Sequence, residues 1–152
     1  MTGRGAGRAT AGKAAPSRRA AVTPGALVAA AREARGRAYA PYSRYRVGAA
    51  VLAADGAVFT GANVENASYG LSVCAERVAI FQAAAAGHRK IREIAVVTAG
   101  RTSAAPCGAC RQVMNEFGVE TLYLAGPRGP HRRRRFHDLL PEAFGPADLP
   151  SR

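Results

Sequence analysis

Apolar residues recur along this chain with two different periods, and the switches between them divide it into elements. In "GALVAAAREARGRAYA", Leu27, Val28, Ala31 and Ala34 fall at helical spacing, and Thr23 with Pro24 supplies an N-cap and a first-turn proline. A first helix is therefore predicted from Pro24. The segment "YRVGAAVLAADGAVFTGANV" holds two β-rich runs separated by Ala54, Asp55 and Gly56, which predicts a hairpin. After the loop "ENASYGLSV", an alanine-rich helix is predicted from about Cys74 to Ala86, closed by Gly87. "EIAVVTA" is a short β-branched run of the buried-strand type. The loop "GRTSAAP" leads to a third helix, "CGACRQVMNEF", closed by Gly118, and then to the apolar strand "VETLYLA". Helices alternating with buried strands after a hairpin predict a layered α/β domain with a mixed sheet.

Composition narrows this picture. A chain of 152 residues suits one domain with a single core, and with 48% hydrophobic and 21% charged residues it reads as soluble and globular. Its longest apolar runs fall well short of the roughly 20 residues that span a bilayer, so no membrane partner is expected. Residues 1–23 carry Arg4, Arg8, Lys13, Arg18 and Arg19 with no acid and no apolar secretory core. A cytoplasmic protein is the expectation, although an acid-free, Arg-rich start also resembles an organelle transit peptide. Of the net charge of +12, five positives lie in this tail and four in the run Arg132 to Arg135, which leaves +3 for the rest. The body is nearly neutral. Such a tail cannot bury enough apolar surface to offset its ordering entropy, so residues 1–23 are expected to be a basic disordered tail and 24–152 the folded domain. The tail is read as solvated, with nucleic acid or an anionic surface as its alternative partner.

The cysteines change the picture most. There are three, Cys74, Cys107 and Cys110, and an odd number with no export signal argues against a disulfide framework. Cys107-Gly108-Ala109-Cys110 alone suits a redox pair at a helix N-terminus, but that leaves Cys74 unexplained. Cys107 and Cys110 project from one side of a helical first turn, and Cys74 heads another helix, so three thiolates can converge on one ion facing two positive helix ends. Three protein ligands leave a tetrahedral zinc ion with a fourth position open to water, the arrangement of a catalytic site. Three thiolates also make a net negative cluster, for which Arg77 and Arg111 are the candidate compensating charges. Two residues along a helix turn roughly 200°, so Cys74 and Glu76 reach one centre only if that centre caps the helix end. Glu76 then lies beside the bound water, placed to carry its proton to a substrate.

These residues bring the chain close to a known family. "CAE" at Cys74 to Glu76 and "PCGAC" at Pro106 to Cys110 match the zinc-deaminase signature, and the chain resembles the small zinc cytidine deaminases. "AYAPYSRYRVGAAVL", "GANVENASY", "CAERVAIFQA", "PCGACRQVMNEFG" and "LLPEAFGPADL" look like family blocks in the family's order, from about Ala38 to Leu149. The resemblance implies a three-layer α/β fold with a mixed five-stranded sheet and helices on both faces. It assigns one zinc ion per subunit to Cys74, Cys107 and Cys110, the proton shuttle to Glu76, and ribose-hydroxyl contacts to Asn63 and Glu65. The backbone of Ala75 matches a pyrimidine contact, Tyr45 a wall of the base pocket, and Phe144 an aromatic contributed by a neighbour in a homotetramer. Core packing is the rival reading of both aromatics.

Implied too is hydrolysis of cytidine and deoxycytidine to uridine and deoxyuridine plus ammonia, in pyrimidine salvage. Departures from the pattern are the basic tail, Tyr45 for a commoner phenylalanine, Val78 for a common threonine, and "PHRRRRF" where the family has a mixed edge strand, so that the resemblance implies a charged edge at Arg132 to Arg135 that blocks unwanted sheet pairing, ahead of nucleic-acid binding. None touches the expected metal ligands. Blasticidin-type deaminases share the zinc motifs, but Asn63 and Glu65 argue against them. A nucleic-acid cytosine deaminase would need an open groove lined with stacking aromatics, and this chain has ten Tyr and Phe and no Trp, so nucleic acid is not the expected substrate. A non-enzymatic zinc module would usually show four protein ligands.

Overall fold

The computed structural model describes residues 21–100 and 103–150. In chain order they form α1 (Pro24–Arg35), β1 (Gly48–Ala53), β2 (Val58–Ala62), α2 (Ala75–Ala85), β3 (Ile91–Val97), α3 (Gly108–Glu116), β4 (Thr121–Ala125) and β5 (His131–Arg135). Short 3-10 turns occupy Tyr69–Leu71, Phe136–Asp138 and Pro146–Asp148. The basic tail expected over residues 1–23 lies outside the described residues except at its last three positions.

Local chemistry explains where the elements begin. The Thr23 hydroxyl accepts a hydrogen bond from the Ala26 N–H at 3.1 Å, capping α1 as its sequence predicts. In the turn between β1 and β2, the Asp55 carboxylate accepts from the Ala57 N–H at 3.1 Å while Gly56 takes φ 88, a conformation that favours glycine. Helices α2 and α3 start one residue later than their cysteines suggest. Cys74 and Cys107 sit at the N-caps with extended ψ of 151° and 167°, so each sulfur stands at the helix mouth rather than on its flank.

The sheet runs in the order β2-β1-β3-β4-β5, with β3 and β4 parallel and every other pair antiparallel. Alternation along the strands sorts the core into two layers. Ala49, Val51, Ile94, Val96, Leu122 and Leu124 meet α2 and α3 on one face. Ala50, Leu52, Ala95, Val97 and Tyr123 meet Leu27, Val28 and Ala31 of α1 on the other. With both faces covered, all six residues of β1 and all five of β4 are buried, which is why those segments read as continuous apolar runs. The result is the three-layer arrangement implied by the resemblance. Strand β5 lies at one edge of the sheet, opposite β2, and Arg132 to Arg135 are all exposed along it, as the charged-edge reading expects. Among the described residues, no helix is long and apolar enough to cross a membrane.

Two glycines set how closely helices approach the sheet. A Cβ on Gly48 would lie 2.1 Å from the Ala31 carbonyl of α1, and one on Gly61 would lie 2.4 Å from the Ala79 nitrogen and 2.6 Å from the Ala75 carbonyl of α2. The second contact fixes the first turn of α2, which carries Glu76, against β2. Gly61→Ala is expected to destabilise the fold by about 1–3 kcal/mol, because backbone rather than a flexible side chain must give way. Gly70→Ala, where nothing lies within 4 Å, is expected to stay within about 0.5 kcal/mol of the parent. Urea unfolding midpoints of the two variants measure the difference.

Candidate metal centre and active site

Helices α2 and α3 lie on the same face of the sheet with their N-termini together, and this brings the three cysteines to one place. The sulfurs of Cys74, Cys107 and Cys110 all lie within 4.8 Å of one another, with Cys74 Sγ and Cys107 Sγ 3.9 Å apart. Thiolates at about 2.3 Å from a tetrahedral ion stand roughly 3.8 Å apart, so the spacing suits a shared zinc ion and is far too long for a disulfide. The donor set is graded in exposure: Cys110 is buried, Cys74 half-buried and Cys107 exposed.

Charge around the sulfurs is arranged asymmetrically. Hydrogen bonding from the Cys110 thiol, helped by Arg77 and Cys107, lowers Cys74 to about 5. Cys110 moves the opposite way, raised by its hydrogen bond to Cys74 and by burial. Arg77 Nη2 lies 3.9 Å from Cys74 Sγ and donates to the Ser72 carbonyl at 3.2 Å. Arg111 behaves differently from the sequence expectation: its Nε donates to the Pro106 carbonyl and its Nη1 to the Leu139 carbonyl, both at 2.8 Å. Two acceptors in fixed positions capture that guanidinium, so it fastens the approach to Cys107, and Arg77 is the arginine in contact with sulfur.

Glu76, in the first turn of α2, is 5% exposed. Burial pushes its carboxyl up to about 7, and the charge of Cys74 adds to the rise. It lines a cavity of about 600 Å³, within the usual range for small-molecule sites, together with Cys74, Ala75 and Asn63. Glu65 and Tyr45 also line it. Ala75 is the first residue of α2, so its N–H has no acceptor four residues back. Six of the sequence-predicted residues thus share one cavity. Phe144 does not line it; its ring is 60% exposed, and its carbonyl accepts from Gln112 Nε2 at 2.8 Å and Asn115 Nδ2 at 3.1 Å beside α3.

The cavity also has walls that sequence reasoning missed. Tyr42, Ser43 and Tyr69 line it on one side, and Thr98, Ala104 and Ala105 at the end of β3 and beyond line it on another. The segment around them is more ordered than a simple loop, with single bridges pairing Tyr39 to Val64 and Val64 to Val73. The Pro41-Tyr42-Ser43 sequence signals a turn, and nothing local distinguishes a serine that closes a turn from one that reaches across a site.

Known proteins share this architecture and chain. Residues 23–125 match the family described as the cytidine and deoxycytidylate deaminase zinc-binding region. A cytidine deaminase of Halalkalibacterium halodurans is 48% identical over 125 residues, covering 81% of this chain and 95% of that protein. One from Mycobacterium tuberculosis is 47% identical over 120 residues, covering 79% and 88% respectively. The crystal structure of a cytidine deaminase from Burkholderia pseudomallei superposes with a TM-score of 0.77 at 53% identity, covering 80% of this chain and 99% of that one. With matching fold, chain and thiol cluster, this protein belongs to the cytidine and deoxycytidylate deaminase family of zinc-binding hydrolytic enzymes.

Proposed function

We propose that the chain hydrolyses cytidine and 2′-deoxycytidine to uridine and 2′-deoxyuridine, releasing ammonia, as a cytoplasmic step of pyrimidine salvage. The observation that carries this reading is a buried carboxyl, Glu76, beside three convergent thiols in a cavity whose wall holds Asn63 and Glu65. Cys74, Cys107 and Cys110 would hold zinc, which as a Lewis acid makes water nucleophilic at neutral pH.

The chain's own residues perform the remaining work. Glu76 takes a proton from the attacking water and delivers it to N3 of the cytosine ring. Once the water oxygen has bonded to C4, Glu76 carries the remaining proton of that hydroxyl to the exocyclic amine, the C4–N bond breaks, and ammonia leaves a C4 carbonyl. A carboxyl held near neutrality can both accept and return a proton at working pH. Arg77 offsets the negative charge of the thiolates. The Ala75 N–H binds the pyrimidine edge, Tyr45 stacks along the base, and Asn63 and Glu65 bind sugar hydroxyls. Such polar contacts reject substrates that lack the matching groups. Phe144, exposed and outside the lining of its own cavity, completes the cavity of a neighbour in a homotetramer. Neither a membrane nor a nucleic-acid substrate is part of this reading.

Two substitutions separate metal from proton transfer. Cys107→Ala is expected to take zinc content from one ion per chain to near none and to abolish turnover, since two thiolates do not hold an open tetrahedral site. Metal analysis of purified protein checks it. Glu76→Gln keeps the size of the side chain and the sulfurs, so zinc content and nucleoside affinity should persist while kcat falls at least 10²-fold. Loss of cytidine absorbance follows the rate, and a variant that retained more than about a tenth of parental kcat would overturn the shuttle role.

Sharing of sites between chains has its own test. Glu76→Gln chains and Phe144→Ala chains should each be impaired as homo-oligomers. When the two are co-expressed or reassembled together, sites that join an intact Glu76 to an intact Phe144 across a subunit boundary should recover parental kcat/KM. Activity above the mean of the two separate preparations is the expected result. Activity at that mean, with chain exchange verified by mass, would place Phe144 outside its neighbour's site.

A further inference from the structure

One wall of the cavity, residues 42–47, holds a costly shape and is tied in place from across the site. Arg44 takes φ 57, the left-handed region that costs a non-glycine residue about 1 kcal/mol or more. Flanking it, Glu65 Oε2 accepts from the Tyr42 N–H at 2.9 Å and the Ser43 N–H at 3.2 Å, and Glu65 Oε1 accepts from the Ser43 hydroxyl. The Ser43 oxygen in turn accepts from the Tyr45 N–H at 3.0 Å. A hydroxyl has one hydrogen, so the direction of each bond is fixed: Ser43 gives its proton to Glu65 and receives that of Tyr45. Asn63 ties the other end, accepting from the Val47 N–H at 2.8 Å and donating to the Tyr45 carbonyl at 2.9 Å.

Counting the remaining valences shows what this leaves for a ligand. A carboxylate offers about four acceptor positions, and three of those on Glu65 are filled from residues 42 and 43. One acceptor remains, on a carboxylate that lines the cavity beside Ser43 and Tyr42. The hydrogen bond from Ser43, followed by those from Tyr42 and Ser43 backbone, holds the Glu65 carboxyl below its ordinary range, so at neutral pH it has no proton to donate.

We propose that Ser43 is a positioning residue: its hydroxyl and backbone N–H hold Glu65 with one acceptor left over, so that the site reads a sugar hydroxyl specifically as a hydrogen-bond donor. This rests on the nucleoside reading above and deepens it. A substrate lacking that hydroxyl leaves a carboxylate acceptor unpaired, and a fluorine in its place brings an acceptor to an acceptor. Without the Ser43 hydroxyl, Glu65 gains a second free position and loses its hold on the loop, so the hydroxyl is read less sharply.

The test uses the full-length zinc-loaded protein and four substrates: cytidine, 2′-deoxycytidine, 3′-deoxycytidine and 3′-deoxy-3′-fluorocytidine. Glu65→Gln first identifies the hydroxyl that Glu65 reads, because the deoxy analogue missing it is the one whose kcat/KM the substitution lowers least. Ser43→Ala should raise KM for cytidine about tenfold, the scale of one hydrogen bond to a charged group, with kcat within about twofold. On the analogue identified by Glu65→Gln it should have no effect, and Ser43→Thr, which restores the hydroxyl, should return cytidine KM toward the parent. Should the identified position be 3′, the fluoro analogue should be no better than the deoxy one. Equal losses on all substrates would reduce Ser43 to a structural role, and no loss on any would remove it from sugar recognition; either overturns the proposal. If the parent turns over none of the four, the nucleoside reading fails and takes this proposal with it, whereas parental turnover with either Ser43 result above overturns the proposal alone.

Discussion

Two helices begin at one point with sulfur where a capping oxygen ordinarily stands, and much of the surrounding structure follows from that. Cys74 and Cys107 occupy the N-caps of α2 and α3, and neither makes a side-chain capping bond. A serine or aspartate there contributes typically about 1 kcal/mol, which these helices forgo. In exchange, the unpaired N–H groups of both first turns direct their partial positive charge at the sulfurs, favouring the thiolate form a metal needs. The two mouths can meet only if both helices pack on the same sheet face, and α2 reaches its place only because β2 presents the bare Gly61 beneath Ala75 and Ala79. Geometry at the sulfurs therefore dictates residues well away from them.

The same convergence organises charge. Thiolates around a divalent cation leave the cluster net negative, and a carboxylate placed next to it would be repelled. Burial resolves this by holding Glu76 near the midpoint of its titration, while Arg77 approaches Cys74 from the side. The two cavity carboxylates are thus driven apart. Glu76 is raised by burial, whereas Glu65, at the wall formed with Tyr42 and Ser43, is lowered by three hydrogen bonds and stays an anion. One cavity thus holds one carboxyl raised toward neutrality and another kept in its ionised form.

What was legible in the sequence was what local spacing encodes. The stripe Leu27, Val28, Ala31 and Ala34, the Thr23 cap, the Asp55-Gly56 turn and the two cysteine motifs each depend on neighbours within a few residues, and all appear in the fold as read. Beyond the β1–β2 hairpin, strand order did not follow from any such pattern, because β3 joins β1 and β4 through pairings between distant segments. Arg111 illustrates the limit for side chains: its position beside Cys110 suggested charge compensation, and a carbonyl 28 residues away, that of Leu139, decides where it points. Ser43 and Glu65 lie 22 residues apart, and each alone looks like ordinary turn polarity. Asn63 and Glu65 were singled out through family resemblance alone, since their residue types carry no periodic signal, and the fold brings both to the cavity wall.

The arginine edge has a second attachment that restricts how it can change. Arg132 donates from Nε to the Ser103 hydroxyl and from Nη2 to the Ser103 carbonyl, both at 3.0 Å. Ser103 is followed by Ala104 and Ala105 of the cavity wall and then by Pro106 and Cys107. A strand that only guards an edge tolerates lysine or glutamate at its exposed positions, for each defeats foreign pairing. Arg132 does not have that freedom, because its planar fork makes two bonds at once and an ammonium group, a point charge, cannot reproduce them. Within a row of four apparently equivalent arginines, Arg132 is the one bonded to Ser103, so drift there would loosen the segment that leads to Cys107 and its neighbouring thiols.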